Sequence, residues 1–333
     1  MILKKITGGN NLFTNSIILV TGGTGSWGIE LVKQLLTLKP KKIIVFSRNE
    51  NSQVIMRRDF SENEKLHFCI GDIRDREALI LACQGVDYVF HLAALKHVSI
   101  CEENPLEAIK TNVIGTRNVI DASIEKRVKK VIYVSTDKAA DPANTYGMTK
   151  SLGEKLIIQA NATNDETKFL CVRGGNVLGS SGSVLPLFVK QIVEHNQIII
   201  TDERMTRYFV TPQHAIKVLL QAAEVGIGGE IFVMHMKACK ILHLAEVLIE
   251  HYGKNEIKIN KIGARPGEKI HEVLVAKNEQ HLASVYNEHL VMISSNVSTN
   301  NQSPLPSVLT DTNLNLMNKK EIKNLLIQGG FLN

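Results

Sequence analysis

Short apolar runs alternate with longer amphipathic ones through the first half of the chain. Ile17–Val20, Ile43–Phe46, Leu66–Ile70, Tyr88–Leu92, Val131–Val134 and Phe169–Val172 are brief and mostly rich in Val, Ile and Phe. That pattern predicts strands covered on both faces. The stretches Ile29–Leu38, Asp75–Cys83, Leu106–Lys126 and Thr145–Ala160 carry the wider spacing of helices. Strand alternating with helix predicts a parallel sheet sheathed on both sides, an α/β Rossmann-like doubly wound fold. After Arg173 the rhythm breaks at Gly174-Gly175 and Gly179–Gly182. Leu185–His195 predicts a helix and Ile198–Ile200 a short strand. Pro212–Ala223 and Glu230–Met234 resume the helix-then-strand order. We therefore expect a dinucleotide-binding domain over 13–172 plus 211–236, and a smaller C-terminal substrate-binding lobe over 173–210 plus 237–333. Ser294–Ser307, rich in Ser, Asn, Thr and Pro, is expected to be a mobile loop, and Leu314–Leu326 a closing helix.

Composition narrows the class little further. At 333 residues with 44% hydrophobic and 22% charged positions, the chain is ordinary for a globular protein. A formal charge of +6, with lysines scattered, suits a diphosphate ligand but is too weak to imply nucleic acid. Five cysteines without a Cys-x-x-Cys pair read as small buried residues of a reducing compartment. The histidines lack metal-ligand spacing, so no metal site is expected. Met1–Asn15 lacks the apolar core of a signal peptide, and no run is long enough to span a membrane. A cytoplasmic protein is expected.

The first strand runs into Thr21-Gly22-Gly23-Thr24-Gly25-Ser26-Trp27-Gly28, with a helix after it. Gly22, Gly25 and Gly28 have the spacing of a turn that brings backbone N–H groups and a helix N-terminus against a pyrophosphate. Glycines alone are weak evidence; strand before and helix after make the pattern specific. The second strand ends at Ser47-Arg48, where an NAD-selective site has a carboxylate for the ribose hydroxyls. Arg48 offers instead a cation for a 2′-phosphate, which predicts NADP; a solvated arginine at a strand end is the plain alternative. Asp72, with Ile73 beside it, falls where the adenine edge would lie, and Ala93-Ala94 are small enough for close approach to the cofactor.

The fifth strand ends in Ser135-Thr136-Asp137-Lys138, and Tyr146 and Lys150 follow with Tyr-x-x-x-Lys spacing. Positions i and i+4 share a helix face, so Lys150 can lower the Tyr146 phenol toward a useful base and hold a nicotinamide ribose. Thr136 can share the substrate hydroxyl. A loop ion pair is the plain reading of Asp137-Lys138. The alternative is chemical: a base and an acid that a dehydratase requires and a 4-epimerase does not.

These stretches resemble the extended short-chain dehydrogenase/reductases, and among them the UDP-N-acetylglucosamine 4,6-dehydratases of the polysaccharide-biosynthesis type, inverting branch. Ala93–Val98 and Ser135–Ala139 carry the most specific match, supported by Gly22–Gly28, Gly175–Val177, Met205–Arg207 and Arg265–Glu272. The resemblance implies that Gly22, Thr24, Gly25, Ser26, Trp27, Gly28, Arg48, Asp72, Ile73, Ala93, Ala94, Lys96, Tyr146 and Lys150 hold the cofactor. It implies that Lys96, Asn176, Val177, Arg207, Arg265 and Glu268 bind a UDP-sugar. In the implied mechanism Tyr146 takes the C4 hydroxyl proton as hydride leaves C4, Lys138 removes the C5 proton, Asp137 protonates the C6 oxygen, and hydride returns to C6. Reprotonation at C5 on the opposite face would invert that centre. A 5,6-ene product, 4-epimerisation or a non-catalytic cofactor-binding regulator are the competing outcomes, and by analogy the chain forms a homodimer or hexamer. Two positions depart from the family pattern: Gly174 stands where an aromatic is usual, leaving room beside the sugar, and Ser181 where an arginine is usual.

Overall fold

The computed structural model describes residues 11–180, 182–294 and 316–332. Six predicted strands form close to their expected bounds: β1 (Ile17–Thr21), β2 (Lys42–Ser47), β3 (Leu66–Ile70), β4 (Tyr88–His91), β5 (Lys130–Thr136) and β6 (Lys168–Gly174). With β10 (Ile231–Met234) they pair in parallel, and with β13 (Ala283–Asn287) and β14 (Leu290–Ile293) the nine-stranded sheet has the order β13-β14-β10-β6-β5-β4-β1-β2-β3. Val20, Val45, Phe90, Ile132 and Val172 fill one face, and Leu19, Phe46, Val89, Val131 and Phe169 the other. Continuous apolar runs suit a sheet with two covered faces.

Strand order reverses beside β1, between its neighbours β2 and β4. In doubly wound sheets the crevice at such a switch point, beyond the carboxyl ends of the strands, is where ligands bind. The helix α1 (Ser26–Thr37) begins five residues after β1, and α7 (Thr145–Ala162) follows the 3₁₀ turn Asp137–Ala139 that leaves β5. Asn144 caps α7 by accepting from Gly147 N at 2.8 Å.

Three differences from the sequence reading have physical causes. A helix over Glu50–Asp59 was not anticipated, because it buries only Gln53 and Met56 and so shows almost no apolar stripe. The expected helix Leu106–Lys126 is interrupted: Pro105–Ile109 and Gly115–Glu125 flank a π turn, Lys110–Ile114. Asn112, in that turn, receives the Leu95 N–H at 2.8 Å and donates to Leu95 O at 2.9 Å and to Thr149 Oγ1 at 3.0 Å. Finally, β13 (Ala283–Asn287) and β14 (Leu290–Ile293), within the stretch expected in the smaller lobe, extend the large sheet as an antiparallel hairpin on β10. They cover an edge that would otherwise expose unpaired backbone.

The remaining elements pack around Phe188, Ile198, Phe209, Leu244 and Leu248. They include α8 (Val184–His195), the two small sheets β11-β9-β7 (Ala238–Lys240, Thr206–Val210, Asn176–Val177) and β12-β8 (Lys258–Lys261, Gln197–Ile200), and the helix Ile241–Tyr252. The closing helix runs over Lys319–Gln328. Apart from Ser294, the loop expected over 294–307 lies outside the described residues. No helix among the described residues is long and apolar enough to cross a membrane.

Candidate active site

Two adjoining cavities, about 570 and 550 Å³, open at the carboxyl ends of the strands. The first is lined by Gly22, Thr24, Gly25, Ser26, Trp27 and Gly28 from the turn and the start of α1. Arg48, Asp72, Ile73, Ala93, Ala94, Lys96, Thr136, Lys138, Tyr146, Lys150, Asn176 and Val177 complete its predicted lining. The second contains Lys96, Lys138, Asn176, Arg207, Arg265 and Glu268, and adds Glu272. Lys96, Lys138 and Asn176 face both. The structure thus gathers every predicted site residue around these cavities except Asp137, which lines neither.

The glycine turn fits a dinucleotide. Gly22 has φ +67°, and a Cβ there would sit 2.8 Å from the Ala93 backbone. A Cβ on Gly28 would lie 2.3 Å from Gly23 O, so only glycine lets α1 start this close to the turn. The first helical turn then presents its free N–H groups to the cavity, the arrangement that suits a pyrophosphate.

At the far end of this cavity, Asp72 gathers two cations. Arg74 lies 2.6 Å and Arg48 3.8 Å from its Oδ2. Burial works against it, but hydrogen bonds from Arg74 hold the Asp72 carboxyl below the usual carboxylate range. Arg48 therefore already faces a carboxylate.

At the catalytic end, burial pushes the Tyr146 phenol well up, a hydrogen bond with Thr136 works the other way, and the charge of Asp137 adds to the rise. Lys150, fully enclosed, donates to Val134 O at 2.7 Å and lies 3.8 Å above the Tyr133 ring. Burial lowers its pKa to about 7. In the unfolded chain this lysine titrates near 10.5, so the folded state holds fewer protons between about pH 7 and 10.5. Stability consequently rises with pH across that window, and below it the full cost of a buried ammonium is present. Lys150→Met should unfold at higher urea concentration than the wild type at pH 6, with the gap closing toward pH 10. A gap independent of pH would show that Lys150 is not a buried charge.

Thr136 Oγ1 donates to Asp137 Oδ1 at 3.0 Å, and Lys138 Nζ donates to the same oxygen at 2.9 Å. On its other side Lys138 Nζ lies 3.8 Å from Glu272 Oε1. The side chains of Asp137, Lys138 and Glu272 are 0%, 16% and 4% exposed, so this is a buried row and not the solvated loop pair that is the plain reading of the sequence. Glu272 is the member that the sequence reading left without a role. It closes the matched run Arg265–Glu272, and no spacing in the sequence reveals that it reaches Lys138, 134 positions earlier.

Arg207 is buried and spends its guanidinium on the backbone oxygens of Thr206, Lys269 and Ile270, fixing the segment that bears Glu272. Glu268 accepts from Arg265 N at 3.0 Å, which shapes the Arg265–Glu268 turn at the cavity rim. At Gly174 a Cβ would meet Met234 Sδ at 3.1 Å and Trp27 Cη2 at 3.4 Å. The room expected from a missing aromatic is therefore filled by Trp27 and Met234. Ser181 lies outside the described residues.

The polysaccharide biosynthesis protein family model matches residues 18–294, which includes both cavities and all of the parallel sheet but Ile17. The chain belongs to this family. Family members of two kinds are similar to it. A UDP-N-acetylglucosamine 4,6-dehydratase (inverting) of Campylobacter jejuni is 42% identical, covering 96% of this chain and 92% of that protein. A UDP-glucose 4-epimerase of Rickettsia prowazekii is 40% identical, covering 95% and 96%. The solved structure of Pen from Bacillus thuringiensis superposes with a TM-score of 0.91 at 39% identity, covering 97% of this chain and all of that one. As a member of this family of dehydratases and epimerases, the chain is an NAD(P)-dependent enzyme that modifies nucleotide sugars.

The NADP-specific expectation is corrected. Solved structures of this fold hold NAD. One is the dTDP-glucose 4,6-dehydratase DesIV of Streptomyces venezuelae (22% identity, TM-score 0.71, covering 80% of this chain and 90% of that one). Another is a UDP-glucose 4-epimerase of Thermus thermophilus (20%, TM-score 0.68, covering 79% and 91%). The physical reason lies in the Asp72 cluster: Arg48, half-exposed and paired with a carboxylate, is not a cation set aside for a 2′-phosphate.

Proposed function

We propose that the chain removes water across C5 and C6 of UDP-N-acetylglucosamine, leaving a 4-keto-6-deoxy sugar inverted at C5. The observation that carries this reading is the buried row Asp137–Lys138–Glu272 beside Tyr146, with Lys138 facing both cavities. Epimerisation at C4 needs one proton acceptor at C4. A second, desolvated base flanked by carboxylates has work to do only if a proton leaves C5 and a hydroxyl leaves C6.

A bound nicotinamide supplies a reversible hydride acceptor at C4 and donor at C6. The chain's own residues do the rest. The glycine turn and the start of α1 hold the cofactor diphosphate, and Lys150 orients its ribose. Tyr146, hydrogen-bonded with Thr136, takes the C4 hydroxyl proton. The ketone then acidifies C5, and Lys138 Nζ removes that proton. The C6 hydroxyl departs as water with one proton from a protonated carboxyl group flanking Lys138. Lys96, Asn176, Val177, Arg265 and Glu268 bind the UDP-sugar, and Arg207 holds the wall of its cavity.

A second reading, C4 epimerisation, is favoured by the names of the Rickettsia relatives, four of them 40–44% identical to this chain. Incubation with UDP-N-acetylglucosamine in D2O, without added cofactor, separates the two. A 4-keto-6-deoxy product with deuterium at C5, and coupling constants of the L-arabino configuration, is expected. A UDP-N-acetylgalactosamine product would establish epimerisation, and a 5,6-ene would establish elimination without hydride return.

A further inference from the structure

Asn144 stands just before α7, the helix that bears Tyr146, and its side chain has two partners. Its Oδ1 accepts from Gly147 N at 2.8 Å, which caps the helix, and its Nδ2 donates to Gly267 O at 2.9 Å. These partners fix the orientation of the amide: turned over, it would set a donor against an N–H and an acceptor against a carbonyl. The residue is only 4% exposed, so both bonds are shielded from water. Gly267 belongs to the Arg265–Glu268 turn at the rim of the second cavity, which closes through Glu268 N to Arg265 O at 3.0 Å. It has φ +78°, and a Cβ there would stand 2.9 Å from Asn144 Cβ, so glycine lets the turn lie against the cap. Beside this contact Lys269 pairs with the Asp141 carboxylate, a second strap between the same two segments. On its inner side the helix start leans on the catalytic loop, where a Cβ on Gly147 would lie 2.3 Å from Lys138 O. A helix cap needs only an acceptor, which Ser, Thr and Asp supply as well. The donor half of Asn144 is spent on the turn.

We propose that Asn144 is a positioning residue for the substrate: its amide donor fastens the Arg265–Glu268 turn to the start of the Tyr146 helix and holds that turn ready for a UDP-sugar. This rests on the reading above that Arg265 and Glu268 bind the UDP-sugar. Asn144 acts through a backbone carbonyl, so its contribution appears as substrate affinity and not as proton transfer. Without the bond the turn keeps its own residues but loses its anchor. Binding must then supply the order that the clamp provides in advance.

Asn144→Ser keeps an acceptor for the cap and loses the donor for Gly267 O. KM for UDP-N-acetylglucosamine and the Kd for UDP alone should each rise about 10-fold, the worth of one buried hydrogen bond, with the loss in KM and not in kcat. Gly267→Ala, whose Cβ would push the turn off the cap, should weaken UDP as well. Combining the two should cost little more than the larger single loss, because both break one contact. A residue that merely caps the helix behaves otherwise: Asn144→Ser would leave the Kd for UDP unchanged, or the double variant would multiply the two losses. Either result overturns the proposal. Should the variants fold poorly, amide hydrogen exchange of the wild type decides. UDP should slow exchange at the Gly147 N–H, which the clamp holds, as well as in the turn, and protection confined to the turn overturns the clamp. Arg265→Ala binding UDP as tightly as wild type would instead overturn the placement of the substrate on this turn, so the two failures are distinct.

Discussion

Lys138→Ala should abolish water loss while leaving oxidation at C4 in place. Tyr146 is hydrogen-bonded with Thr136 and Lys138 Nζ with Asp137, and each has its own proton to move. Tyr146 needs only its hydrogen-bonded Thr136 and an acceptor for hydride. Lys138 reaches both cavities from the Asp137–Glu272 row. Removing a general base costs about 10²–10⁴-fold. Hydride taken from C4 then has no alkene to return to, so absorbance of reduced nicotinamide should build up on mixing with the UDP-sugar. Turnover of Lys138→Ala at the wild-type rate would assign the C5 proton to another group. Truncation also leaves Asp137 and Glu272 without the amine between them, so the thermal midpoint should be recorded alongside to separate lost chemistry from lost fold.

The second large effect concerns stability. Arg173 is fully buried at the end of β6, where its guanidinium makes paired hydrogen bonds to Glu154 on α7 (3.0 and 2.7 Å) and to Glu279 (2.8 and 2.9 Å), and donates to Leu274 O. One planar side chain thereby ties the helix bearing Tyr146 to the segment that follows Glu272. Arg173→Met removes the only cation paired with either carboxylate among the described residues and leaves one buried and one partly buried carboxylate behind. Breaking a buried pair of this kind costs about 3–5 kcal/mol. Urea unfolding should show a loss of that order, and the triple variant with Glu154→Gln and Glu279→Gln should recover part of it. A loss below about 1 kcal/mol would mean that the network contributes no more than a surface pair.

The sheet and the glycine turn are legible in the sequence because each is local: a strand's apolar run and the turn after it lie within a dozen residues. What stays hidden is non-local or weakly patterned. The helix Glu50–Asp59 turns mostly polar residues to solvent and leaves no periodic trace. The Arg173 network spans separations of 19 and 106 residues, and Glu272 meets Lys138 across a comparable gap. The cofactor expectation failed for a related reason. Arg48 read alone suggests a phosphate partner; the Asp72 that engages it comes from the loop after the next strand. Gly174 likewise looks like missing bulk until Met234 and Trp27, both distant in sequence, are seen to occupy the space.

The π turn at Lys110–Ile114 has a genetic consequence. Such a turn accommodates one more residue than the α ladder around it. Loss of a single codon within those five would let Pro105–Glu125 close into an uninterrupted α-helix, a change that helix propensity alone would score as harmless. It would also swing Asn112 away from Leu95, whose N–H and C=O it holds, and so release the Ala93–Lys96 strip that lines the first cavity and reaches the second at Lys96. In-frame deletions here should therefore behave as active-site lesions, although every residue of the two cavities' catalytic row is still encoded.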